Sequence, residues 1–145
     1  MKTPWHIWVV GALSLLWHSF GALDYTMSQT RNAAYFAMFD DQTRAGMLAY
    51  LDAYPFWASC AWAIGVWGAV LGSALILLRS RHAVSLLWLS MLGLIANTAQ
   101  TFVFATSSLP ILTDGNAKLF TFLIFFVLAL VVAYAARQAK RGNLR

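Results

Sequence analysis

Residues 53–78 read AYPFWASCAWAIGVWGAVLGSALILL, a run of 26 residues without a charged side chain. An α-helix rises about 1.5 Å per residue, so roughly 20 apolar residues cross the ~30 Å hydrocarbon core of a bilayer. The run is long enough for one crossing and too short for two. It predicts a membrane-spanning helix at residues 56–78.

The chain repeats this arrangement on both sides of that run. Uncharged stretches of 21, 32 and 18 residues separate Lys2 from Asp24, Arg81 from Asp114, and Lys118 from Arg137. Each stretch is long enough for one helical crossing. The predicted spans are residues 5–28, 56–78, 83–106 and 119–136. We therefore expect an all-α membrane protein, a four-transmembrane-helix bundle that forms a single integral membrane domain over residues 1–145.

The composition excludes several classes of protein. Hydrophobic residues make up 61% of the chain and charged residues 10%, whereas about 25% of an ordinary soluble domain is charged. So few charges cannot solvate the surface of a small globule, which excludes a soluble enzyme and a disordered chain. The basic residues lie in short clusters beside the spans, so the net charge of +5 indicates no nucleic-acid partner. Membrane lipid is the expected partner, since the cluster RQAKR at 137–141 suits anionic headgroups.

The positions of the basic residues predict the orientation. With four spans, both termini and the turn at 79–82 lie on one side of the membrane. That side holds seven of the ten Lys and Arg residues, and the other side holds three together with all five acidic residues. The positive-inside rule places both termini in the cytoplasm (N-in/C-in) of a bacterial inner (plasma) membrane. The first span lacks a clear small-residue cleavage site, so we expect it to be retained rather than removed as a signal peptide.

Residues 29–54 form the long outer connection. Asp40 is suited to a helix N-cap, and Met47, Leu51 and Tyr54 recur at helical spacing. We expect a short helix that lies in the membrane interface between the first two spans. Two roles remain open for it: a lid or docking surface, or a simple cover of the interface.

Polar side chains inside the spans are candidates for a binding site, because burying them away from water is costly. Counting about 1.5 Å per residue from the inner ends of the spans places His18, Asn97 and a gap at Gly65 in one layer. The candidate ligand-binding residues are His18, Asp24, Tyr25, Trp62, Asn97 and Gln100. The alternative is that such side chains only hydrogen-bond between helices as packing contacts.

Asp24 is the only acidic residue inside a predicted span. It lies near the outer end of the first span, and Arg31 is its expected ion-pair partner. Either it is an ordinary ionised residue at the interface, or it contributes to contacts with a ligand or partner.

The second span contains small residues at helical intervals. Gly65, Gly68 and Gly72 are predicted helix-packing residues, because a missing side chain lets a neighbouring helix approach closely. The single cysteine, Cys60, excludes an internal disulfide and any multi-cysteine metal site. No second histidine is expected at the depth of His18, so we expect neither a metal nor a cofactor.

Several segments resemble a known family. They are LWHSFGALDY at 16–25, TRNAAY at 30–35, YP at 54–55, AWAIGVWGAVLGS at 61–73 and the turn RSRHAVS at 79–85. Together they cover about the first two-thirds of the chain. They resemble a group of short bacterial inner-membrane proteins with four predicted spans, often labelled sugar transporters. The resemblance implies transport of a sugar and supplies no established site residues.

Two function hypotheses follow. In the first, the protein binds or transports a small polar solute such as a sugar, as a homo-oligomer because four helices enclose little space. In the second, it is a non-transporting structural or accessory subunit of a larger membrane complex. Enzymatic activity is not expected, because one membrane-embedded histidine without a nucleophile, paired carboxylates or a metal cluster falls short of an active site.

Overall fold

The computed structural model describes residues 4–105 and 109–145. This part of the chain forms α1 (His6–Gln29), α2 (Ala33–Phe36), α3 (Asp41–Asp52), α4 (Phe56–Leu77), α5 (His82–Ala99), α6 (Pro110–Thr113) and α7 (Gly115–Lys140). Helix α5 continues directly into a π-helical segment, Gln100–Phe104. Over the described ranges the chain forms no strand. Lys2 and Thr106, which entered the span predictions, lie outside the described residues.

Four helices of the described chain are long and apolar enough to cross a membrane: His6–Gln29, Phe56–Leu77, His82–Phe104 and Gly115–Lys140. The protein is therefore a multi-pass membrane protein with an all-α four-helix bundle, which confirms the predicted fold class. The fourth helix extends beyond the predicted 119–136 at both ends. Asp114 caps its start by accepting a hydrogen bond from Ala117 N at 2.7 Å. Arg137 and Lys140 lie in its last turn, where long side chains can extend toward water.

The helices pack in the order α1–α4–α5–α7. Helix α4 contacts both α1 and α5, and α7 packs against α5. The core contains buried apolar side chains from all four helices, among them Ile7, Ile76, Leu87 and Leu128, each at most 1% exposed. This core is concentrated in the half of the bundle where α1 begins and α7 ends. The other half is left for a cavity.

Glycine and serine allow α4 and α5 to approach closely. A Cβ atom on Gly93 would lie 2.6 Å from the backbone N of Gly65, and one on Gly72 would overlap a side chain of α5. Gly68 lies against Ser90, whose hydroxyl donates a hydrogen bond to Gly65 O at 2.5 Å. The three predicted packing glycines therefore all lie on the α4–α5 contact, as expected for small residues between spans.

The outer connection contains two helices. Helix α3 is present where the sequence predicts a helix, and the Asp40 side chain accepts hydrogen bonds from Gln42 N at 3.1 Å and Thr43 N at 3.0 Å. Hydrogen bonding from Thr43 lowers the pKa of Asp40 below its ordinary value. Helix α2, a single turn capped by Asn32, was not predicted, because four residues are too few to show a helical period.

The opposite end of the bundle is closed by the C-terminal residues. Arg145 N donates a hydrogen bond to Arg79 O at 2.7 Å, in the turn between α4 and α5. Leu144 is 3% exposed and belongs to the core. At the same end, His6 Nδ1 lies 2.5 Å from the hydroxyl of Tyr134 and connects α1 to α7. The start of α1, the α4–α5 turn and the C-terminus therefore share one end of the molecule.

Candidate functional site

A cavity of about 680 Å³ lies between the four long helices, in the half of the bundle away from the C-terminus. Small-molecule sites typically have volumes of about 300–1,000 Å³. All four long helices, α3 and the π-helical segment contribute to the wall. His18, Ala69 and Leu128 lie at its deep end, and Asp24 and Tyr35 lie at its outer end.

One ring nitrogen of His18 is hydrogen-bonded to a neighbouring helix. The Ser73 hydroxyl donates its single hydrogen to Ala69 O at 2.8 Å, so its oxygen accepts from His18 Nδ1 at 2.9 Å. This network places a proton on Nδ1. Nε2 is buried and has no hydrogen-bond partner among the described residues, so a second proton there would be buried without an acceptor, which favours the neutral ring. A water-sized group does not reach Nε2, although His18 lines the cavity.

Asp24 is tied to the outer connection. Its carboxylate accepts a hydrogen bond from the Tyr35 hydroxyl at 2.6 Å. Burial and this hydrogen bond raise the pKa of Tyr35 to about 12. The predicted pair with Arg31 is wrong, because Arg31 Nη2 lies 2.9 Å from Asp52 Oδ1. Arg31 has a φ of 50°, and this left-handed turn after α1 directs the chain toward α3.

Helix α3 and the residue pair after it cover the outer end of the cavity. The wall residues from this segment are Met47, Tyr50, Leu51 and Tyr54. Tyr54 donates a hydrogen bond to Asn97 Oδ1 at 2.6 Å, and the Tyr50 hydroxyl lies 3.4 Å from Thr101 Oγ1. Burial raises the pKa of Tyr54 above its ordinary value, so the phenol remains a hydrogen-bond donor. These contacts attach the cover to the end of α5.

Aromatic rings form a connected set beside this cover. Ring centroids are 5.1 Å apart for Tyr25 and Trp62, 6.2 Å for Trp62 and Tyr54, and 5.3 Å for Tyr54 and Tyr50. Trp62, Tyr54 and Tyr50 line the cavity, whereas Tyr25 packs edge-on against Trp62 without lining it. Edge contacts of this kind stabilise aromatic pairs beyond the area they bury.

Four of the six predicted ligand-binding residues line the cavity: His18, Asp24, Trp62 and Asn97. Tyr25 supports Trp62, and Gln100 is 8% exposed and begins the π-helical segment without lining the wall. The next two residues of that segment, Thr101 and Phe102, do line the cavity. π-Helical turns inside α-helices occur frequently at functional sites.

The prediction that His18 and Asn97 share one layer is wrong. Gly11 of α1 lies opposite residues 76–77 at the inner end of α4, close to the start of α5 at His82. Helix α1 therefore begins further inward than α5. The same number of residues counted from the start of each helix does not reach the same depth in the membrane. At about 1.5 Å per residue, Asn97 lies roughly 12 Å nearer the outer end than His18.

Sequence reasoning missed the side chains that hold the site residues. Tyr35 lies in a one-turn helix without a periodic pattern, and Ser73 is one of several small residues along α4. Both roles depend on which helix faces which, so a local pattern does not identify them.

Within the described ranges, no group of three His, Cys, Asp or Glu side chains is placed to hold a metal ion. No family model, curated protein or solved structure matches the chain. The fold and the site together define a multi-pass membrane protein whose four-helix bundle contains a cavity covered by a short helix.

Proposed function

We propose that this protein binds a small organic solute in the cavity and carries it across a bacterial inner membrane without converting it chemically. The observation that supports this proposal most strongly is the cavity of about 680 Å³ between the four long helices. Polar and aromatic side chains line it, among them His18, Trp62 and Asn97. A few polar groups in a mostly apolar cavity are typical of small-molecule sites.

A packing role explains the position of His18 but not the cavity. The hydrogen bond between Nδ1 and Ser73 links α1 to α4, as a packing contact between spans does. Packing alone requires no space between the helices. The cavity extends outward from His18 to α3, which favours a binding site.

The proposed orientation places α3 and the mouth of the cavity outside. Of the nine basic residues that the structure describes, six lie at the end of the bundle that contains the C-terminal residues, and all five acidic residues lie toward the other end. The positive-inside rule then makes both termini cytoplasmic. The basic tail at 137–145 would contact anionic lipid headgroups.

The family resemblance implies that the solute is a sugar. Trp17 and Trp62 line the cavity, and aromatic rings are side chains on which sugars can stack. Since four helices enclose little space for a complete path, we propose that the protein works as a homo-oligomer. Sugars are therefore the first solutes to test.

Thiol labelling tests whether the cavity is open to water. In a Cys60→Ala background, the Ala117→Cys variant places a thiol on the cavity wall. The Ala58→Cys variant is the matched control, because Ala58 is 0% exposed and is not part of that wall. We expect a membrane-impermeant maleimide added from outside to label the first variant and not the second. A solute that binds should slow the labelling.

Two results would count against the proposal. If neither folded variant is labelled, the cavity is not open to water, and the protein is better explained as a structural or accessory subunit of a larger complex. Labelling of the Ala117→Cys variant only from the cytoplasmic side would overturn the proposed orientation.

A further inference from the structure

The wall of the cavity has an unbalanced charge. Among the described residues that line it, only Asp24 carries a formal charge, and none is Lys or Arg. Of the three basic residues on the outer side, Arg31 pairs with Asp52 at 2.9 Å and Arg44 pairs with Asp41. The third, Lys118, is exposed and does not line the cavity. A cleft lined by one sign of charge attracts ligands of the opposite sign. The cavity therefore favours a cation and disfavours an anion.

Aromatic side chains in the wall add to this preference. The faces of aromatic rings carry negative electrostatic potential, and Trp62, Tyr54 and Tyr50 line the wall as neighbours. Tyr35 lies on the same wall and is hydrogen-bonded to Asp24 at 2.6 Å. Rings within about 6 Å of a cation attract it, and quaternary ammonium groups are commonly bound in this way. The carboxylate and the rings thus favour the same kind of ligand.

The deep end of the cavity suits an apolar group. Its wall there contains Ala69, Leu94 and Leu128, and the Ser90 hydroxyl is already committed to Gly65 O. Trp17 and His18 also line the cavity, but the buried Nε2 of His18 offers no acceptor to a ligand. A sugar that filled this end would leave most of its hydroxyls without partners, which is costly. An apolar body has no such cost.

We propose that the ligand of this cavity is an amphipathic organic cation, which binds with its positive group beside Asp24 and the neighbouring aromatic rings. Its apolar body points toward His18. The inference rests on the proposed function, since it names the substrate class of the same cavity. It selects a lipophilic cation over a neutral sugar and over an anion of the same shape.

Two ions of nearly equal shape and opposite charge provide the test. Tetraphenylphosphonium and tetraphenylborate are measured by equilibrium dialysis against the purified full chain in detergent, with protein-free micelles as the blank. We expect saturable binding of tetraphenylphosphonium and none of tetraphenylborate above the blank. This comparison uses the unaltered protein, so it remains decisive even where a variant fails to fold.

A charge-neutralising variant tests whether Asp24 is responsible for the preference for a cation. Asp24→Asn removes the charge but keeps an oxygen that can accept from Tyr35, and it should weaken tetraphenylphosphonium binding about tenfold. Asp114→Asn is the matched control, because Asp114 is an outer-side carboxylate that does not line the cavity and asparagine can still cap α7. It should leave the affinity unchanged.

The outcomes separate this inference from the proposed function. Equal binding of both ions, or equal effects of the two variants, would overturn the cation assignment. If a sugar protects the Ala117→Cys variant from maleimide while tetraphenylphosphonium does not bind, the ligand class is wrong and the proposed function stands. If that variant is never labelled, both fail.

Discussion

At the scale of single residues, Tyr35 attaches the outer connection to the membrane-spanning helix α1. Its hydroxyl donates to Asp24 of α1 at 2.6 Å, and its ring contacts Phe39 with centroids 5.6 Å apart. Burial, followed by the hydrogen bond to Asp24, raises the pKa of Tyr35 to about 12. The phenol therefore remains a neutral donor over the whole physiological range.

This raised pKa predicts a specific loss of stability at alkaline pH. The pKa of Tyr35 in the folded protein is higher than the ordinary value of 10.0. The neutral phenol therefore contributes fully to the free energy of unfolding below pH 10, and this contribution is lost as the pH rises through about 12. Near-ultraviolet difference absorbance between the unaltered protein and Tyr35→Phe measures this titration. Asp24→Asn should lower the pKa only part of the way, because burial is the larger cause. A Tyr35 that titrates near pH 10 in the unaltered protein would contradict the structure.

At the scale of helices, the close contact between α4 and α5 requires glycine, which has no side chain. The ideal Cβ position of Gly93 lies 2.7 Å from Ala61 O and 2.6 Å from Gly65 N, both backbone atoms. Backbone atoms cannot rotate away as the end of a flexible side chain can. The distance between these two helices therefore depends on glycine at this position.

Gly93→Ala should consequently destabilise the protein strongly. Overpacking in a close-packed interior costs about 1–3 kcal/mol, and we expect the upper part of that range because the clash is with backbone. Thermal unfolding in detergent, followed by tryptophan fluorescence, measures the effect. Gly115→Ala is the matched control, since a Cβ at that position meets nothing within 4 Å. Equal melting temperatures for the two variants would show that the α4–α5 contact is looser than described.

At the scale of the whole molecule, the two ends of the bundle are closed in different ways. The outer end has a helical cover held by side-chain hydrogen bonds, including that from Tyr54 to Asn97 at 2.6 Å. The inner end has the C-terminal residues, held by backbone hydrogen bonds between Arg145 and the α4–α5 turn. Buried core fills the inner half, and the cavity occupies the outer half.

Leu144 tests whether the tail belongs to the folded core. Its side chain is 3% exposed, and truncation of a buried leucine costs about 2–5 kcal/mol. We expect Leu144→Ala to lower the thermal unfolding temperature clearly. Arg145→Ala should have little effect, because Arg145 holds the turn through backbone atoms. A tail that only lies on the surface would make the two variants equivalent.

The four spans, the class of fold and helix α3 could be predicted from local features of the sequence. The length of an uncharged run decides whether a helix can cross a bilayer, and a cap such as Asp40 acts on its own first turn. These are local properties. The packing role of the glycines in α4 could likewise be predicted from their spacing, because small residues at helical intervals lie on one face.

The assembly of the site depends on how the helices pack against one another, which local sequence does not show. The inward offset of α1 relative to α5 separates His18 from Asn97, which span lengths alone could not show. The partners of the site residues, Ser73 for His18, Tyr35 for Asp24 and Tyr54 for Asn97, come from other helices. The physical reason is that register between helices is set by which side chains are small enough for close contact, and this is a property of two surfaces together.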